Sequence, residues 1–237
     1  STGNTEQQLG SNADLSTANG TLSDVLDSGD GITWTATFTP NANLSDTTNL
    51  IVLDNTGITD AAGNAGTGTT NSNNYVVNTV RPTATIDIAN DALKVGDTSL
   101  VTITFSEAVV GFDNDDLTVE GGTLTDVGSS DGGIVWTATF TPTNALTDTS
   151  NVIKLNNSGV ANVAGNVGVG ETASNTYAID TARPTATITL AKATLTPGES
   201  TGVTIKFSEA VTGFNIGDLT FENGTLSSFA IFSSRRP

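Results

Sequence analysis

Any chemistry in this chain has to be done with oxygen. Its 237 residues include no histidine and no cysteine. That removes imidazole as base or metal ligand, every Ser-His-Asp arrangement, the thiolate nucleophile, the thiolate zinc site and any disulfide framework. Carboxylates and amides remain. Seven carboxylates stand in or beside loops rich in Asp, Asn and Gly: Glu107, Asp113, Asp115 and Asp116, and further on Asp180, Glu209 and Asp218. Hard oxygen donors without His or Cys suit calcium, which takes roughly six to eight oxygen ligands, and do not suit zinc. No stretch has the D-x-[DN]-x-[DN]-G spacing of an EF-hand loop, so a calcium site here is assembled from separate loops. The same residue types also serve in turns, where Asp and Asn bond their own backbone, and as solvated charges that keep an acidic protein soluble. Both readings stand for these seven. A glycosidase pair needs two carboxylates across a cleft, and nothing in the spacing puts them there.

Charge narrows the partners. Eight Lys and Arg against 25 Asp and Glu leave 8 − 25 = −17. A surface of that sign repels nucleic acid and anionic membranes. No apolar run approaches the ~18 residues of a membrane span. Residues 1–12, STGNTEQQLGSN, have neither a basic region nor an apolar core, so no export signal is expected there. With no methionine at all, the chain reads as a fragment or a processed product.

The elements that position the acids are repeated. Arg81-Pro82 recurs as Arg183-Pro184, and 183 − 81 = 102. The same offset carries Trp34 to Trp136, Phe38 to Phe140, Gly63-Asn64 to Gly165-Asn166, Tyr75 to Tyr177 and Phe105-Ser106-Glu107 to Phe207-Ser208-Glu209. A period near one hundred residues fits a whole domain copied in tandem. Residues 80–181 make one complete unit. Residues 1–79 match the later part of a unit, with its early strands missing. Residues 182–237 match the earlier part, with a tail that diverges from about Ser227.

Within the complete unit, apolar and polar residues alternate over 83–89, 100–106 and 134–142, and 117–121, 123–127, 151–157 and 175–180 read as further strands. Gly, Asn, Asp and Pro separate them, and no amphipathic helical stretch intervenes. The fold class expected is all-β, as tandem immunoglobulin-like seven-strand β-sandwiches. Without an inter-sheet disulfide the core rests on packing, with Ile86, Ile88, Val101, Ile103, Phe105, Leu117, Trp136, Phe140, Ile153, Leu155 and Tyr177 as its expected members. Trp34 and Trp136 fall inside alternating strands and read as core rather than as a sugar-stacking platform. The T-A-T-I-T row at 185–189 reads as an ordinary strand rather than as an ice- or sugar-binding face.

F-S-E-A-V-x-G-F at 105–112 and 207–214, the D-L-T that follows each, A-G-N at 62–64 and 164–166, and D-T-x-R-P-T at 180–185 together resemble bacterial Ig-like repeats. Such repeats build the extender regions of very large bacterial surface proteins, including biofilm-associated proteins and repeats-in-toxin adhesins. The resemblance implies a rigid extracellular spacer at the bacterial cell surface, often stiffened by calcium, with no catalysis. Two positions depart from the pattern. Asn78 stands where the next junction has Asp180, and Asn162 stands where the first copy has Asp60. Each departure removes a charge from a candidate metal site.

In a seven-strand sandwich the 106–116 loop and the 157–170 loop come to the same end, near the incoming linker 78–82. This is expected to place Glu107, Asp113, Asp115 and Asp116 beside Asn78, Asn162 and Asn166, and to bring Asp180, Glu209 and Asp218 together one unit later. Short Arg-Pro linkers restrict bending, since proline fixes φ and limits its predecessor. The end units are complementary in phase, so the C-terminal part of one chain could complete the N-terminal part of another and build a head-to-tail homopolymer. An excerpt from a longer array has the same phase. A ligand-binding module for glycan or another surface is the alternative function.

Overall fold

A computed structural model describes residues 12–227, and the regular structure in them is strand plus single 3-10 turns. The divergent tail and part of the stretch read for an export signal fall on 228–237 and 1–11, outside the described residues.

The complete unit folds as two β layers. One is a sheet in the order Ala84–Ile88, Ser99–Phe105, Val135–Pro142, Gly122–Leu124, with Gly128–Ser129 also paired to Val135–Pro142. The other layer pairs Leu117–Val119, Ile153–Asn156 and Glu171–Ala173 in that order. Its strands run on in sequence as Thr147–Asn151 against Tyr177–Asp180, and Ala92–Lys94 joins Tyr177–Asp180 in parallel. Alternation does the work of facing side chains inward: Val101, Ile103 and Phe105 are buried at every second position of their strand. All the expected core residues lie in one cluster, with Leu117 and Trp136 only partly buried against it. The cluster also takes in Leu93, Val109, Phe112, Val160 and Ile179.

The short strands at 117 and 122, which look adjacent in sequence, belong to different layers. Leu117–Val119 pairs with Ile153–Asn156, whereas Gly122–Leu124 pairs with Val135–Pro142. The chain crosses the sandwich at Glu120-Gly121. Gly121 has φ +69°, and a Cβ there would lie 2.5 Å from Ile179 Cδ1, so the crossing needs glycine for both conformation and space.

The 102-residue period holds in three dimensions. Leu117 faces Leu155 and Leu15 faces Leu53. Ala84 faces Phe105 and Ala186 faces Phe207. The Phe140–Tyr177 rings meet edge-on at 5.1 Å and the Phe38–Tyr75 rings at 5.0 Å. Tyr177 Oη donates to the carbonyl of Glu120, and Tyr75 Oη to that of Ala18. Burial, with the Glu120 charge second, pushes the Tyr177 phenol far above its ordinary range.

Candidate functional site

The junction at 78–82 is built from two loops and the linker. Val109–Val110 pairs with Ala161–Asn162, which brings the 106–116 segment against the 157–170 loop. In the second of these loops the Asn162 side chain closes a turn: its Oδ1 accepts from Asn166 N–H at 2.9 Å. Its Nδ2 points the other way, donating to the carbonyl of Val80 at 3.0 Å and to Glu107 Oε2 at 3.0 Å. Asn166 Nδ2 donates to the carbonyl of Asn78 at 2.9 Å, and Arg81 Nη1 donates to the carbonyl of Val167 at 2.5 Å. Three side chains therefore hold the linker to one end of the central sandwich.

Asn162 is buried, 1% exposed. It lets one amide do what a cation does between two oxygens, using two N–H groups. In the first copy Asp60 makes the same turn, accepting from Asn64 N–H at 2.8 Å and Ala62 N–H at 2.9 Å. The Asn64 side chain, then its backbone N–H, hold the Asp60 carboxyl below its ordinary value. Glu107 differs from the other acids. Its Oε2 is bonded to Asn162, but its Oε1 is buried with no hydrogen-bond partner among the described residues.

The remaining candidate acids are placed differently. Asp113 and Asp116 form a capping box on a 3-10 turn, with Asp113 Oδ1 accepting from Asp115 N–H at 2.8 Å and Asp116 Oδ2 from Asp113 N–H at 3.2 Å. Asp116 lies against Gly159, where a Cβ would be 1.7 Å from its Oδ1. Asp113 and Asp115 are exposed. Asp180 Oδ1 accepts from Thr147 Oγ1 at 3.0 Å. Asp218 Oδ2 accepts from Asn215 N–H at 2.9 Å in a second capping box, and Glu209 is exposed. Among the described residues no three carboxylates come close enough to share a metal ion. Of the residues expected to gather at this end, Glu107 meets Asn162, while Asp113 and Asp116 meet each other in the capping box. The sequence did not single out Arg81 and Asn166 as clamps, although both recur or sit in repeated motifs.

A sequence profile of a family described as bacterial Ig-like domain matches residues 6–77, 78–179 and 180–236. No curated protein matches the chain. A solved structure of FdeC, described as an Escherichia coli adhesin, is 19% identical over 84% of this chain and 64% of that one, less than two thirds of its length, with a TM-score of 0.34. An overlap that loose says nothing about what this chain does. The three profile matches, ending and starting at the same 102-residue offset as the repeated side chains, together cover nearly the whole sequence: the chain belongs to the bacterial Ig-like domain family, with its domains in tandem.

Proposed function

We propose that the chain is an extender or spacer module of a bacterial extracellular adhesin or surface filament, working at the cell surface without catalysis. The observation that carries this reading is the clamp on the linker, in which Asn162, Asn166 and Arg81 bond the carbonyls of Val80 and Asn78 and that of Val167. A spacer works by resisting bending at its joints, and each of these bonds removes freedom there. Spin labels on the 12–79 and 80–181 units, read by pulsed electron resonance, test it. A narrow distance distribution that broadens in Arg81→Ala is the expected result, and a broad distribution in the unaltered chain contradicts the reading.

Calcium at the junctions belongs to the same proposal. Glu107 supports it, because a buried carboxylate oxygen without a partner is costly unless something positive meets it. With no second carboxylate beside it, the ion would draw on Glu107 and on carbonyl and amide oxygens of the 78–80 and 162–166 segments. Affinity is then expected at the weak end, around 10⁻⁴–10⁻³ M, typical of extracellular modules. At the following junction Glu209 and Asp180 are the corresponding acids. Thermal melts after chelation and in millimolar calcium test this, because an ion that binds only the folded form raises the midpoint. An unchanged midpoint removes calcium and leaves the spacer reading in place.

A further inference from the structure

A spacer is loaded along its length, so the strands next to its two linkers meet the force first. In the central unit these are Ala84–Ile88, continued by Ala92–Lys94, and at the other end Tyr177–Asp180. Ala92–Lys94 and Tyr177–Asp180 lie side by side in parallel, with Leu93 opposite Ile179. Every other pairing among the described residues is antiparallel. Direction decides how tension acts. The chain enters before Ala84 and leaves after Asp180, so tension draws Ala92–Lys94 back toward the entry and Tyr177–Asp180 on toward the exit. Parallel strands drawn in opposite senses slide along one another, and the bonds between them are strained together. An antiparallel pair drawn apart from one end opens one bond at a time.

This seam is tied by more than its paired backbone. Ala178 N–H donates to the carbonyl of Asp91 at 2.8 Å. Just before it in sequence, the Asn175 side chain bonds Ile88 twice, accepting from its N–H at 2.9 Å and donating to its carbonyl at 3.1 Å. Ile88 is the last residue of its strand to pair with Ser99–Phe105 before the chain passes to the other layer. There one amide takes the place of a neighbouring strand, supplying both an acceptor and a donor. Behind the seam Ile88, Leu93, Tyr177 and Ile179 are at most 2% exposed, so water does not reach it from the core side to replace a strained bond. At the exit Thr181, 4% exposed, is held as well: its hydroxyl donates to the carbonyl of Thr143 at 2.5 Å and its N–H to that of Leu146 at 2.8 Å.

We propose that the seam between 88–94 and 175–180 is the part of the unit that resists tension, and that the Asn175 side chain is its lock, joining the first strand to the last. The proposal rests on the spacer reading and names the device behind it. The two fail separately, because a unit that shears easily can still hold a fixed angle at its joint.

Asn114 supplies a matched control. Its side chain makes the same two-way bond, donating to the carbonyl of Thr125 at 3.0 Å and accepting from Val127 N–H at 2.9 Å, but it joins segments remote in sequence from both linkers. The measurement is the unfolding rate of the central unit under constant tension applied to the ends of the 237-residue chain, the event being recognised by the length it releases. Asn175→Ala is expected to raise that rate about tenfold, and Asn114→Ala less than about twofold. Equal acceleration by the two overturns the seam, and no acceleration by Asn175→Ala overturns the lock. The direction of pull tests the seam with its own residues unaltered. The chain has no cysteine, so maleimide handles attach only where one is introduced. Handles at Thr98→Cys and Thr141→Cys, beside the facing pair Ser99 and Phe140, peel two antiparallel strands apart from one end. The force at which the unit yields is expected to lie well below that for pulling end to end, and the same force in both directions overturns the proposal.

Discussion

Glu107 accepts a hydrogen bond from the Asn162 amide at 3.0 Å although 55 positions separate them in sequence. The contact joins the loop after the second long strand to the glycine-rich loop, and the same amide nitrogen reaches the linker at Val80. One buried side chain thus couples the two loops of a module to the residues that enter it.

Asn162→Asp separates the two ways of filling this position. The aspartate keeps the turn, as Asp60 does in the first copy, but loses both donated bonds and sets a carboxylate beside Glu107. In chelator the melting midpoint is expected to fall, with about 1–3 kcal/mol lost for the buried partners left unmet. Millimolar calcium is expected to recover most of it. A fall that calcium leaves untouched shows that this junction does not take the ion.

Tyr177→Phe removes the bond to the Glu120 carbonyl while keeping the ring packed on Phe140. The expected cost is about 1–2 kcal/mol, or a drop of several degrees in a unit of this size. Chemical denaturation followed by tryptophan fluorescence reads it, and an unchanged midpoint means that water replaces the bond without loss.

Gly121→Ala puts a Cβ into the crossing between layers at φ +69°, 2.5 Å from Ile179 Cδ1 and 2.8 Å from Asn151 Oδ1. Loss above about 2 kcal/mol is expected from strain and clash together. Gly132→Ala, also at positive φ but with nothing within 4 Å, is expected to lose clearly less. Equal losses would place the whole effect in the backbone.

Acid sensitivity should concentrate in the turns. Backbone N–H of Val135, then the Ser129 hydroxyl, hold the Asp131 carboxyl below its ordinary 3.8. A carboxyl whose folded value is depressed gives its full contribution above the unfolded value and loses it as pH falls through the folded one. The melting midpoint is therefore expected to stay level from neutral pH to about 4 and to drop below that. In Asp131→Asn the neutral midpoint is lower and the acid drop shallower. A parallel drop in both proteins shows that other carboxyls govern it.

What could be read from sequence, and what could not, follows from what each element buries. Ser99–Phe105 and Val135–Pro142 alternate because one face lies on the core, and that pattern is visible in the residues themselves. Thr147–Asn151 is polar throughout, and exposed at all but its last residue, so no period marks it. Ala92–Lys94 is a strand only because Tyr177–Asp180 lies beside it in parallel. The same limit applies at the junction. Glu107 and Asn162 meet because the topology of a sandwich brings their loops to one end, which the repeat already implied. Asp113 and Asp116 spend their carboxylates on capping the turn between them, and an acid that caps has the same letter as an acid that binds.

Pulling single 237-residue chains by their ends tests most directly whether a hundred-residue β unit bears load as one body. The account predicts a discrete unfolding event that releases about 35 nm, the contour of 102 residues at roughly 3.4 Å each. Smooth extension without a force peak, or one event of about 80 nm that takes in the entire chain, contradicts it.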